Sequence, residues 1–398
     1  MVFGQNALFF SANYPFRPTY TKNKRMCGVN QKVAPGLSMV GISNKDTTTM
    51  NNERMYSIIY YNNNSFQAKI VPNQIITNED KYTISSFVLF DIQSVTGYQF
   101  LDNIWLINDN YMAITSPDLN KVIFVKYDNT NNLLSKQILL QFADKSIPHE
   151  FKLFGDYYYC CFDGASMILK LNNKLEQIAI YKPPITISIH SFTTFDNNIF
   201  WIASHNSDIW KLELATNVWT KETSNFMTNY VNYTDSYIFA VNSNANTIVK
   251  IDKQNKLKLI QIASEDGTIY KFISSFFVDN SLIITSTTYQ QIYIYNIITD
   301  KFIIKDISLS NKYVFLQSYY FNGNLYLISS SVFGEDKIDA IVILNNFNII
   351  TGQWDDDPYI IQVASGCSLH RITKLNNEDI GITATHTATL YVIKKSSV

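Results

Sequence analysis

The chain has 398 residues, 46% apolar, 14% aromatic and 16% charged, which is ample material for a packed core. A formal net charge of −1 excludes the basic footprint of a nucleic-acid binder, and 26 Tyr and 26 Phe exclude a disordered chain. No apolar run approaches the ~18 residues of a membrane-spanning helix.

Residues 1–24 read as an N-terminal arm. The stretch from Met1 to Phe16 has no basic residue ahead of its short apolar part and is broken by Ser11–Asn13, so synthesis in the cytoplasm without a signal peptide is expected. Arg17, Lys22, Lys24 and Arg25, followed by Lys32, form a locally basic segment that suits an acidic partner or simply an extended solvated surface. Next come a Pro35-Gly36 turn and three strand-like runs, Leu37–Ile42, Met55–Tyr61 and Phe66–Val71, which read as one β unit. Residues 72–96 exceed an ordinary connection and hold one strand-like run, Tyr82–Ile92, so they are expected to be an insertion.

From about residue 97 a pattern repeats. An aromatic-rich strand ends in a short Asp, Asn or Gly turn, residue types that tolerate positive φ. The turns are Leu101-Asp102-Asn103, Phe154-Gly155-Asp156, Phe195-Asp196-Asn197, Tyr233-Thr234-Asp235, Val278-Asp279-Asn280, Phe321-Asn322-Gly323 and Leu375-Asn376-Asn377. After each comes an apolar strand that ends in small or polar residues, as at Ile114-Thr115-Ser116 and Ile284-Thr285-Ser286, then an alternating strand closing on Asp or Asn, then a fourth strand. Four short antiparallel strands every ~40–50 residues, without helical periodicity, resemble the blades of the β-propeller superfamily. The segment from Asp208 to Trp219 is similar to the third and fourth strands of a kelch repeat, although the paired glycines of kelch second strands are absent.

The expectation is therefore an all-β chain. Residues 25–398 form a single closed propeller of four-stranded antiparallel blades, eight rather than seven. The last unit has three strands before Val398, so the N-terminal run Ala7–Tyr14 is expected to supply its missing outer strand.

Function is less legible. No Walker loop, dinucleotide fingerprint, nucleophile elbow, HExxH or EF-hand loop is present. Cys27, Cys160, Cys161 and Cys367 are too few and too irregular for a disulfide framework or zinc site, and adjacent Cys160 and Cys161 should point to opposite faces of a strand. Asp355–Asp357 read as a solvated outer loop, and Trp354-Asp355 and Ser264–Thr268 are isolated echoes of other propeller motifs.

The sharpest constellation is the histidines. His149, His190 and His370 open innermost strands, and His205 and His386 close second strands, which puts all five on one face of a ring. Such a face could hold a catalytic metal, with His149, His190 and His370 as the residues concerned, or histidines that cap strands or meet a partner. An eight-blade count places the His190 and His370 units across the ring from each other, and no carboxylate accompanies each histidine. The primary expectation is therefore a non-catalytic structural or interaction module without metal or cofactor, bound to other protein subunits of a large assembly. Bias toward Asn, Ile, Tyr and Lys suits an AT-rich genome, and a virion or phage-tail component fits that bias. The alternative is a propeller lyase or hydrolase with a metal on the histidine-bearing face.

Overall fold

The structure, a computed structural model, describes residues 56–61, 65–67, 69–70, 82–92, 97–108, 111–205, 208–264, 266–287, 290–375 and 378–395. Its regular structure is seven sheets built on four antiparallel strands each. From inside to outside, blade I is Ile104–Asn108, Tyr111–Ser116, Lys121–Asp128 and Leu133–Phe142. Blade II is Pro148–Phe154, Tyr157–Phe162, Met167–Leu171 and Gln177–Tyr181. Blade III is Ile189–Thr194, Ile199–Ser204, Asp208–Glu213 and Val218–Lys221. Blade IV is Val231–Tyr233, Tyr237–Val241, Thr247–Asp252 and Leu257–Gln261. Blade V is Phe272–Val278, Ser281–Ser286, Gln291–Asn296 and Phe302–Asp306. Blade VI is Phe315–Phe321, Asn324–Ser329, Ala340–Asn348 and Gln353–Gln362. Blade VII is Leu369–Lys374, Ile380–Ala384 and Thr389–Lys395, with Tyr82–Val88 as its outermost strand. Each inner strand touches the inner strand of the next blade, and that of blade VII touches that of blade I, so the ring closes.

The aromatic and β-branched content is explained by this arrangement. Seven apolar clusters lie one between each pair of consecutive blades, because a sheet sandwiched between neighbours buries both faces. Cys160 joins the cluster facing blade I and Cys161 the one facing blade III, the opposite-face placement expected of adjacent strand residues. The turn chemistry also works as anticipated at most units. Asp279 and Asn280 have φ of 43° and 66°, and Asn322 and Gly323 have 48° and 75°. Both pairs thus take two consecutive positive φ values, the geometry that joins twisted antiparallel strands tightly.

Three expectations are corrected. The ring has seven blades, not eight. Among the described residues, the upstream runs extend existing sheets: Tyr56–Tyr60 and Ser65–Gln67 add to the outer strand of blade I, and Lys69–Ile70 adds to Tyr82–Val88. The supposed insertion supplies the closing strand, which pairs with Thr389–Lys395 from Val88↔Thr389 to Tyr82↔Lys395. Its alternation does the work: Tyr82 and Ile84 pack toward blade VI while Phe87 packs toward blade I. Ala7–Tyr14, Leu37–Ile42, Cys27 and the basic segment with Arg17, Lys22, Lys24 and Arg25 lie outside the described residues. Finally, Asp355–Asp357 are on the outer strand of blade VI rather than in a loop; charged side chains followed by Pro358 blunt an open sheet edge.

Candidate functional site

The second strands end in small polar residues for a structural reason. Thr115 Oγ1 of blade I donates to the His149 carbonyl of blade II at 2.7 Å, Thr285 of blade V to Leu316 O of blade VI at 3.2 Å, and Thr383 of blade VII to Asp102 O at 2.8 Å. Cys161 holds the corresponding place in blade II, its thiol reaching His190 O of blade III at 3.7 Å. These bonds tie the end of one blade's second strand to the start of the next blade's inner strand. They thereby fix the backbone where His149, His190 and Asp102 project toward the ring centre.

Asp102 organises that centre. It is read from sequence as part of a hairpin turn, yet it precedes the inner strand of blade I, is fully buried, and continues the ladder through its amide to Thr115 O. His149 Nδ1 lies 2.5 Å from Asp102 Oδ2 and His370 Nδ1 lies 2.7 Å from Oδ1. His149 Nε2 is also 3.5 Å from Asp163 Oδ2. His190 packs its ring 4.1 Å from that of His149, and His205 sits 5.4 Å beyond. Blades VII, I, II and III are consecutive in the closed ring, so His190 and His370 flank one carboxylate instead of facing each other across the disc.

A second group of ions interlocks with the first. Arg371 Nη2 contacts Glu150 Oε1 at 3.2 Å, and its guanidinium lies 3.6 Å above the Tyr230 ring of blade IV. Lys152 Nζ pairs with Glu150 Oε2 at 2.6 Å and donates to Phe192 O at 2.7 Å. His149, Glu150, Lys152, His190, His370 and Arg371 are all buried. A buried charge is tolerable only when paired and hydrogen-bonded, and here each carboxylate has a cation against it.

The electrostatics follow from those pairings. Burial alone would raise the Asp102 pKa, but His370 and His149 outweigh it and hold the carboxyl well below its usual range. Burial would lower His149, yet its bonds to Asp102 and Asp163 push it up to about 9, so it is an imidazolium at neutral pH. His190 goes the other way, depressed by burial and by the neighbouring His149 cation. His386 stands apart from the Asp102 contacts: its Nδ1 is 2.9 Å from Ser368 Oγ and its ring meets that of Tyr98, with burial lowering its pKa. The five histidines thus occupy the predicted strand ends, three of them converge, and the sequence reading missed Asp102, Glu150, Lys152 and Arg371. Asp102, His149 and His190 present possible ligand atoms within 4.8 Å of one another, the one such group found among the described residues.

Comparison with solved structures places this architecture. A streptogramin B lyase structure superposes with a TM-score of 0.61 at 14% identity, covering 79% of this chain and 98% of that one. A catalytically inactive histidine-to-alanine variant of virginiamycin B lyase from Staphylococcus aureus with quinupristin gives 0.62 at 13% identity, covering 79% of this chain and 99% of that one. The WD40 domain of Pan2 from Neurospora crassa gives 0.56 at 7% identity over 75% of this chain and 90% of that one. The fold is a seven-bladed β-propeller. No family model and no curated protein matches the sequence. The propeller is shared by a lyase and a WD40 domain, so architecture by itself does not choose between catalysis and binding. Among the described residues, no helix is long and apolar enough to cross a membrane.

Proposed function

We propose that the chain is a non-catalytic propeller serving as a structural or protein-interaction module within a larger assembly, and that its composition suits a virion or phage tail. The observation that carries this reading is the buried centre. Asp102, His149, His190 and His370 are 0–5% exposed and the ions among them are paired, so none of these four is a reachable base or nucleophile. A catalytic site needs a pocket that admits the reacting atoms. The surface that is available lies at the perimeter, where Ile178, Leu259 and Ile304 are exposed on the outer strands of blades II, IV and V. A shallow groove of about 560 Å³ between the outer strands of blades V and VI is lined by Lys305, Trp354 and Asp355. Crosslinking the chain in its native assembly should join partner subunits at perimeter lysines such as Lys182 and Lys258. Crosslinks confined to the histidine-bearing face would overturn the perimeter assignment.

A second reading, a lyase or hydrolase on the histidine-bearing face, is favoured by the convergence of His149, His190 and His370 on Asp102. It also draws on the likeness to a lyase that a histidine-to-alanine change inactivates. Incubating the purified chain with quinupristin and following conversion by chromatography distinguishes the two. No conversion is expected; conversion that His190→Ala abolishes would replace the structural reading with the enzymatic one.

A further inference from the structure

We propose that Asp102, His149 and His190 form a binding site for one divalent transition-metal ion, zinc being the type of ion the donors fit. Each residue comes from a different blade, so the ion would join blades I, II and III near the centre of the ring. The first support is the donor set itself. One carboxylate and two imidazoles lie within 4.8 Å of one another, and this mixture of nitrogen and oxygen donors suits zinc and its first-row neighbours better than calcium or magnesium. Side-chain rotations that exchange the His149–Asp102 hydrogen bond for bonds to a common centre would place the donors at the ~2.0–2.2 Å usual for such ions.

The second support is independent of that grouping. Asp102 Oδ1 and His370 Nδ1 are 2.7 Å apart, yet neither makes a hydrogen bond, because the approach lacks the direction a donor and acceptor require. Arg371 Nε, 3.6 Å from the same oxygen, also lacks a hydrogen-bond partner. That oxygen is held by the charge of His370 rather than by an aligned hydrogen bond, and keeps a lone pair that an ion could engage. A cation bound by Asp102 would engage that carboxylate in a way the surrounding donors do not. His370 then acts as a positioning residue that holds the carboxylate from the blade VII side.

Charge and access are compatible with an ion. The ion takes the place of the proton that Asp102 and Asp163 hold on His149, so binding releases that proton and leaves Asp102, Glu150 and Asp163 facing Lys152, Arg371 and the ion. The side chain of Asp163, beside His149, is 18% exposed and marks the side from which an ion enters. Three protein donors leave one position of a four-coordinate ion to water, and the burial of the site keeps a larger molecule from it. Local sequence spacing predicts no metal because the three ligands come from three blades, at residues 102, 149 and 190.

The test uses the full chain, stripped by dialysis against a chelator and titrated with Co²⁺ alone while the visible absorption is followed. One equivalent should bind with ligand-field bands and be displaced by Zn²⁺. His190→Gln should weaken binding by about 100-fold or more, while His386→Gln leaves it unchanged. X-ray absorption of the cobalt-loaded wild-type chain should show two imidazoles in the first shell, a readout independent of whether any variant folds. A folded wild-type chain that takes up no Co²⁺, a His190→Gln chain that binds as tightly as wild type, or a spectrum without imidazole scattering would each overturn the assignment.

Discussion

The centre and the rim of this ring solve opposite problems with the same strands. At the centre, inner strands converge and their first residues are pressed together, so polar side chains there must neutralise one another: Asp102 with His149 and His370, Glu150 with Lys152 and Arg371. At the rim, outer strands diverge and expose apolar side chains such as Ile178 and Leu259 to solvent. Stability should be sensitive to substitutions that remove one member of a central ion pair and indifferent to those at the rim, whereas association should show the reverse. That contrast is what separates a structural core of charges from a binding surface of apolar ones.

The harshest way to break the contrast is Asp102→Asn. It keeps the volume but leaves His149, His370 and Arg371 buried without their carboxylate, and uncompensated buried charge costs about 3–5 kcal/mol. Urea unfolding should show a midpoint lowered accordingly, and a loss no greater than that of a surface change would mean that the centre is not held by charge.

The pH dependence of the metal-stripped chain probes the same pair more gently. The folded pKa of His149, pushed up to about 9 from 6.5, makes a contribution that is fully present below the unfolded value and is lost as pH rises through the folded one. On the order of 3 kcal/mol should therefore disappear between about pH 6.5 and 9. Asp102 and Asp163, both depressed, limit stability on the acid side, since their contribution is lost as pH falls through their folded values. The Asp102 and His149 shifts describe one interaction and are not additive. Unfolding midpoints that stay flat from pH 6.5 to 9 would show that His149 is not held as an imidazolium.

Much of the ring is legible in the sequence because a blade repeats its chemistry. Turns such as Val278-Asp279-Asn280 recur in phase with apolar strands, and an error in one unit is outvoted by the others. Features that occur once have no such support. The closing strand Tyr82–Val88 is separated in sequence from the strand it completes, so its alternation reads as an insertion. Asp102 carries the residue types of a hairpin turn, and only the closed ring shows that those residues begin an inner strand. The histidine positions are readable from their place at strand ends. Their convergence is not, because it depends on a seven-blade count that makes blades VII and I neighbours.

Smaller effects sharpen the comparison by separating the inter-blade hydroxyl bonds from the ions they support. Thr115→Val removes the donor to His149 O and the acceptor for the Asn103 amide, leaving buried backbone groups unpaired, and should cost about 1–3 kcal/mol. Cys161→Thr should be near neutral or stabilising, because a hydroxyl is a better donor than the thiol that now reaches His190 O. If Cys161→Thr destabilised as strongly as Thr115→Val, packing rather than hydrogen bonding would explain the recurring small residue.

The rim completes the series with the smallest expected change. Leu259 is 55% exposed in the outer strand of blade IV, where Lys250↔Lys258 pairing already places cations side by side. Leu259→Glu removes apolar surface that is mostly in water, on the sheet face opposite those lysines. Unfolding free energy should move by no more than about 0.5 kcal/mol. If the perimeter is the docking surface, the same substitution weakens subunit association measured by sedimentation without altering the melt. A large loss of stability would instead show that this edge is part of the core, and the division between a charged centre and an apolar rim would not hold.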